Sequence, residues 1–555
     1  MQVFILKSGL SALVTVLAIV AAATGALIAT PGNVAPAEAS QTADAKIAGQ
    51  VLRIKGTNDD DKLTFRLQAG NANVIEVDVG DDGSADYGFD LASFSEITIN
   101  AKAGDDLVRV DEANGPIVRP TSILAGNGDD TVLGGSAIET IDGGPGDDLI
   151  DGNRGADIAF MGDGDDTFVW DPGDGSDVVE GGDGSDTLLF NGANGGETVD
   201  LSANGERFTF FRQPGNITMD VNEVETSVFN ALNGQDIITV NDLTGTDVTR
   251  AEFDLNVALG GGDLLADQVT INGTPGNDAI AVTGSAGSIE VTGLSATVAI
   301  SAAEAANDLL TINALGGDDT VDASALQADT LKTLTIDGGS GNDLILGGRG
   351  ADSLIGGDGN DFVDGNQGAD TGLLGAGGDV FRWDPGDGSD VVEGGEGHDA
   401  LGFNGAGASE TVDISANAGR LLFFRNPANI TMDVNEVETV VFNAFAGTDT
   451  ITVNDLTGTG VSAVLLNLAA APFGSGVGDG EADSVIVNGT AVDDSIDVTG
   501  SAGFVNVLGL SADVQIFQAE ATDRLEVNTD AGNDTVDTSG LAAGVIQLLV
   551  DGVPL

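Results

Sequence analysis

The chain has no cysteine, one histidine, and only 19 lysines and arginines in 555 residues. Without cysteine there can be no disulfides, iron–sulfur clusters or thiolate zinc sites. With His398 alone there is no H-E-x-x-H zinc motif and no Ser-His-Asp triad, and no G-x-S-x-G elbow occurs. The few bases stand against 89 acids, giving a formal net charge of -70. Such a surface repels nucleic acid, which is therefore excluded as a partner.

What is abundant is glycine, 83 residues, and short runs of Val, Ile and Leu within a hydrophobic content of 41%. That apolar content argues against disorder. A compact chain of this charge would repel itself unless cations bind it in stoichiometric amounts. The N-terminus has a separate character. Lys7 precedes an apolar or small stretch from Leu10 to Ile28, and Ala37-Glu38-Ala39 fits the small-x-small cleavage rule. Residues 1–39 read as a signal peptide, with an uncleaved anchor as the alternative because the apolar stretch is long. Both readings place the remainder outside the cytoplasm, secreted or at the cell surface, with no membrane span in the mature chain.

The sequence repeats at two scales. Asp171 to Gly182 recurs as Asp384 to Gly395, and Asn216 to Thr226 recurs as Asn429 to Thr439, both at an offset of 213 residues. A second unit occurs at Ile271-Asn272-Gly273-Thr274, again at Val487 to Thr490, and more distantly at Ile54 to Thr57. Within the first repeat runs a nine-residue period, as in Ala125-Gly-Asn-Gly-Asp-Asp130-Thr-Val-Leu133 and Gly143-Gly-Pro-Gly-Asp-Asp148-Leu-Ile-Asp151. Its acids are Asp130, Asp148, Asp157 and Asp166, then Asp177 and Asp186 after a two-residue interruption at Trp170-Asp171; a degenerate turn carries Glu139. The second copy supplies Asp343, Asp352, Asp361, Asp370 and Asp379, then Asp390 and Asp399 after Trp383-Asp384.

This pattern, G-G-x-G-x-D-x-U-x, suits calcium. Glycines at positions one, two and four permit a tight backbone that turns carbonyl oxygens into a small volume. Calcium takes six to eight hard oxygen ligands, which carbonyls and one aspartate per loop from two stacked loops can supply. The last three residues make a short strand whose central side chain points inward, at Val132, Ile150, Phe168, Ile345, Leu354 and Val363. With two nonapeptides per turn, Asp130 stacks with Asp148, Asp148 with Asp166, Asp343 with Asp361, and Asp352 with Asp370. A flexible Gly-rich linker has no reason to place an apolar residue two positions after each aspartate.

The two blocks resemble the hemolysin-type calcium-binding repeats of bacterial RTX proteins, a signature tied to parallel β-helix repeats. The resemblance implies a parallel β-roll, folding that depends on Ca2+, and a bacterial, exported protein. One departure is the N-terminal signal, since RTX proteins usually leave by a C-terminal uncleaved one. No toxin, protease or lipase domain accompanies the repeats.

Between the blocks lie half-buried strands after Asp236, Asp267, Asp278 and Asp308, and again after Asp449, Asp483, Asp494 and Asp523. Their spacing suits rungs of a longer-coiled solenoid. Ile75, Val77 and Val79 ahead of Asp81-Asp82-Gly83 predict an antiparallel hairpin. The acids Asp78 to Asp86 do not make an EF-hand, because Phe89 stands where glutamate is required. Trp170 and Trp383 are expected to pack over the interruptions, Phe210-Phe211-Arg212 and Phe423-Phe424-Arg425 to be core strands with an exposed or ion-paired arginine, and His398 to be an exposed spacer.

The expected architecture is all-β, a parallel β-roll or β-solenoid with two calcium-binding nonapeptide blocks flanked by β-rich repeat units. Its segments are a signal peptide (1–39), an N-terminal β-rich unit (40–121), the first calcium block (122–189), β-rich stretches at 190–270 and 271–337, the second calcium block (338–402), and β-rich stretches at 403–486 and 487–555. The expected function is that of an exported calcium-binding scaffold or adhesin, with calcium ions and cell-surface polysaccharide or other envelope components as partners. The alternative is a calcium-dependent lyase, hydrolase or epimerase acting on polysaccharide.

Overall fold

Alternation of inward and outward residues, repeated every nine positions, winds the chain into stacked coils whose strands form two facing sheets. A computed structural model describes residues 42–257, 260–471 and 478–555. The signal-peptide segment lies outside the described residues. Ala43 to Leu555 form one unit, and among the described residues it is all β apart from a single 3-10 turn at Leu91–Ser93. The fold is the expected all-β parallel roll and solenoid.

In the first block the strands Thr121–Asn127, Glu139–Pro145, Ile158–Asp163 and Val178–Asp183 stack in parallel, aligning Ile123, Ile141, Ala159 and Val179. On the facing sheet Thr131–Leu133, Leu149–Asp151, Thr167–Trp170 and Thr187–Asn191 align Val132, Ile150, Phe168 and Leu188. All eight side chains are fully buried between the sheets. The second block repeats this, with Ile345 beside Val363 on one sheet and Leu354 on the other, again buried. Two nonapeptides therefore complete one coil, and the core is a file of single apolar residues.

The interruption at Trp170-Asp171 lengthens one coil from 18 to 20 residues without breaking the stack. Trp170 turns inward, lies on Phe190 with ring centroids 3.9 Å apart, and donates its Nε1–H to the Gly175 carbonyl at 2.8 Å. Trp383 and Phe403 repeat the arrangement at 4.0 Å. Beyond each block an antiparallel meander replaces a simple coil. In the first copy it comprises Thr198–Asn204, Arg207–Gln213 and Ile217–Asn222. Its third strand stacks on Val178–Asp183 and its first carries Ile237–Val240, so the parallel column continues through it.

Phe210 and Phe423 are core residues, as expected, and their arginines are ion-paired. Arg212 Nε donates to Glu197 Oε1 at 2.6 Å and its guanidinium lies over Trp170, while Arg425 does the same with Glu410 and Trp383. Burial of Glu197 and Arg212 leaves no solvent to stabilise either charge, so each requires the other.

The strands after Asp236, Asp267 and Asp308 are successive rungs of one sheet, aligning Ile238, Val269 and Leu310. The strand after Asp278, Ala279–Ser285, belongs to the facing sheet and pairs with Thr320–Leu326. Rungs there are 31 or 41 residues apart, because hairpins such as Ala279–Ser285 with Ser288–Thr292 project between them. Asparagine side chains tie these longer coils together: Asn272 Nδ2 donates to Asn241 Oδ1 at 2.9 Å and Asn313 Nδ2 to Asn272 Oδ1 at 2.8 Å. The N-terminal hairpin forms as predicted, with Asn71–Val79 antiparallel to Tyr87–Asp90. In its turn Asp78 accepts the N–H groups of Asp82 and Gly83, an ordinary acid-capped turn.

Candidate metal centres

Each nonapeptide loop is built around its aspartate. On the edge carrying Asp130, Asp148, Asp166 and Asp186, positions two and four turn through the left-handed region, as at Gly144 (φ 108°) and Gly146 (φ 139°), where a Cβ would also strike the carbonyls of Gly126 and Gly128 in the coil before. At position one the constraint is different. A Cβ on Gly143 would lie 2.4 Å from both Asp148 Oδ2 and the Met161 carbonyl, and one on Gly356 would lie 2.3 Å from the Leu374 carbonyl and 2.5 Å from Asp361 Oδ2. Carboxylate and carbonyl oxygens thus converge beside a glycine that has no side chain to fill the space.

All thirteen predicted aspartates are buried. They form columns along the edges of the roll. The N–H of Asp130 donates to Asp148 Oδ1 at 2.7 Å, that of Asp148 to Asp166 at 2.6 Å, and that of Asp166 to Asp186 at 2.9 Å. On the opposite edge Glu139 donates to Asp157 and Asp157 to Asp177. The second block has Asp343 to Asp361 to Asp379 to Asp399, and Asp352 to Asp370 to Asp390. The four stacked pairs expected from the spacing are all neighbours in these columns.

One carboxylate oxygen per aspartate is used in this way. The other, Oδ2, is buried without any partner at Asp130, Asp148, Asp157, Asp166, Asp186, Asp343, Asp361, Asp370, Asp379 and Asp399. A buried anion lacking partners is costly. Burial, then repulsion from Asp166 and Asp130, pushes the Asp148 carboxyl up to about 8. Burial with repulsion from Asp390 and Asp352 does the same for Asp370, also to about 8. Asp186 is pushed to about 7 by burial and by Asp166 and Glu225. Asp352 differs, since its Oδ2 accepts the Gly348 N–H at 2.6 Å.

A hard divalent cation fits this donor set. The unpartnered oxygens need a positive partner, and the carbonyls beside them supply further hard ligands. Among the described residues no three Asp, Glu or His side chains converge on a point able to hold a metal. Most ligands in these loops would therefore be backbone carbonyls. His398 takes no part; it is exposed, with Nε2 3.3 Å from Thr439 Oγ1.

The columns extend past the residues that the spacing identifies. Asp106, Glu139 and Asp319 are buried members, and Glu225 and Glu438 accept the N–H groups of Asp186 and Asp399. Asp106 and Asp319 carry a visible signal in Gly104-Asp-Asp-Leu-Val108 and Gly317-Asp-Asp-Thr-Val321, but without glycine at positions one and two of the loop.

The RTX calcium-binding nonapeptide repeat matches the chain in four copies, over residues 133–168, 173–195, 337–372 and 386–401. No curated protein matches it. These repeats bind Ca2+.

Proposed function

We propose that this calcium-binding RTX repeat protein is an exported structural or adhesive scaffold whose two nonapeptide blocks fold when Ca2+ enters the aspartate columns. The observation that carries the proposal is the row of buried, unpartnered Oδ2 atoms, which at Asp148, Asp157, Asp186, Asp343, Asp361, Asp370 and Asp399 lie beside a glycine with no side chain to fill the space. The thirteen aspartates from Asp130 to Asp399 are the proposed calcium ligands, together with loop carbonyls, and the ten with an unpartnered Oδ2 support the proposal directly whereas Asp177, Asp352 and Asp390 enter it by their place in the columns. At extracellular-type affinities of about 10⁻⁴–10⁻³ M, calcium at ten times its dissociation constant contributes about 1.4 kcal/mol per site. Summed over the columns, that decides whether the blocks fold.

Export rests on the signal-like residues 1–39 and on the acidity of the rest. Among the described residues no helix is long and apolar enough to cross a membrane. The scaffold reading is supported by the near-duplicate copies, since the Trp170–Arg212–Glu197 group and its counterpart Trp383–Arg425–Glu410 are both core supports. The eight-segment division of the chain is part of this proposal. Cell-surface polysaccharide or other envelope components are its proposed partners.

Circular dichroism of the mature chain tests the proposal. Calcium should add β signal and a chelator should remove it; an unchanged spectrum would overturn calcium-dependent folding. Turnover of acidic polysaccharides by purified, calcium-loaded protein would replace the scaffold reading with the enzyme.

A further inference from the structure

The columns of aspartates start one loop earlier than the recognisable repeats. Loop 101–106 precedes 125–130 and loop 314–319 precedes 338–343, with Lys102 in register with Gly126 and Gly316 bridged to Ser340. Asp106 accepts the Asp61 N–H at 2.6 Å and donates its own to Asp130 Oδ1 at 2.7 Å. Asp319 stands identically between Asp278 and Asp343, at 2.7 and 2.8 Å. Both residues are 2% exposed, and both leave Oδ2 buried with no partner.

The backbone of the two loops matches that of the repeats. Gly104 (φ 116°) and Gly317 (φ 119°) hold the turn of position four, and position two is held left-handed by Lys102 (φ 92°) and Leu315 (φ 77°). That conformation is unfavourable for any residue with a Cβ, so the neighbouring coils impose it. Their carbonyls enter the following loop as they do inside a block. Leu315 O lies 2.1 Å from the Cβ position of Gly339 and Gly317 O 1.6 Å from that of Gly341, as Gly126 O lies 1.9 Å from that of Gly144.

One coil further out the situation changes. Asp61 Oδ2 accepts the Thr57 N–H at 2.5 Å and Asp278 Oδ2 accepts the Thr274 N–H at 2.7 Å. Protein donors there occupy the oxygen that is free at Asp106 and Asp319, so these two loops are the outermost on that side with an unmet need for a cation.

We infer that loops 101–106 and 314–319 each bind one additional Ca2+ against the first loop of the block that follows, using Oδ2 of Asp106 or Asp319 and loop carbonyls. Alanine at position one is no obstacle, because Ala125 occupies it ahead of Asp130, whose Oδ2 is equally free. The inference rests on the reading that the nonapeptide loops bind calcium.

The test is the number of calcium ions bound per full-length mature chain, by equilibrium dialysis after chelator treatment. Asp106→Asn and Asp319→Asn keep an oxygen to accept the ladder N–H while removing the charge. Each should lower the count by one, and the double variant by two. Wild-type protein that binds no calcium would defeat the underlying reading. Wild-type binding with unchanged counts in both variants would defeat this inference alone. If Asp319→Asn fails to fold, Leu315→Gly decides: restoring the glycine of position two should lower the dissociation constant of one ion at least threefold, and an unchanged isotherm overturns the inference.

Discussion

Asp148 donates its backbone N–H to Oδ1 of Asp166, eighteen residues on, at 2.6 Å, while its own Oδ2 has no partner. One carboxylate thus performs two tasks: an oxygen facing along the column joins coil to coil, and its twin is free for metal. The tasks can be separated by substitution. Asp148→Asn keeps an acceptor for Asp130 and loses the charge, whereas Asp148→Ala loses both. Both variants should weaken calcium binding in the first block only. The alanine should cost a further ~1–3 kcal/mol, the usual penalty for leaving a buried donor, here the Asp130 N–H, without its acceptor. Trp170 in a Trp383→Phe background reports the first block alone, since the chain has two tryptophans, one near the end of each block. An unchanged calcium response of Trp170 in both variants would refute the assignment.

Acid should partly substitute for calcium. In the metal-free protein burial raises Asp148 and Asp370 to about 8 and Asp130 and Asp361 to about 6. A carboxyl raised above its ordinary value favours the folded state when protonated. That contribution is full below the ordinary carboxylate range and disappears as pH rises through 6 to 8. Chelated protein should therefore gain β signal between pH 8.5 and 5, while calcium affinity of the loaded protein falls over the same interval. A pH-independent spectrum of the chelated protein would contradict this.

Space at position one should matter more than glycine content. Gly356→Ala places a methyl group 2.5 Å from Asp361 Oδ2, whereas Gly407→Ala meets nothing within 4 Å. The first should weaken binding in its loop, which unlike the Ala125 loop is closed around a glycine, and the second leave the calcium isotherm unchanged. Equal effects of the two substitutions would show that the gap beside Asp361 is not a binding feature.

The buried ion pairs should be strong supports of the meanders. Glu197→Gln leaves Arg212 buried against Trp170 with its counter-charge removed, at a cost of about 3–5 kcal/mol. Thermal melts in saturating calcium should show a lowered midpoint, and Glu410→Gln should match it in the second copy. No change in midpoint would mean that solvent reaches Arg212.

The nonapeptides were legible because one physical constraint acts at a fixed interval: aspartate at position six and an inward residue two places later, as at Asp148 and Ile150. The insertion at Trp170-Asp171 was equally visible, being repeated at Trp383-Asp384. The longer coils were only half legible. Their strands alternate clearly, but projecting hairpins vary the spacing, so nothing in the linear order shows that Asp267 pairs with Asp308 while Asp278 pairs with Asp319. The asparagine ladder of Asn241, Asn272 and Asn313 is invisible for the same reason; each is an isolated strand-end residue until the register is known. Asp106 and Asp319 are only partly legible as column members, because Lys102 and Leu315 take at position two a left-handed conformation that sequence assigns to glycine.

The stacking of Trp170 on Phe190 recurs at Trp383 and Phe403, each residue displaced by the same 213 positions. A genetic crossover between the two copies at these points would splice one coil onto its equivalent, with apolar file and acidic columns still aligned. Descendants could gain or shed an entire module in a single recombination event and still encode a foldable product, which makes the length of such a molecule readily heritable variation.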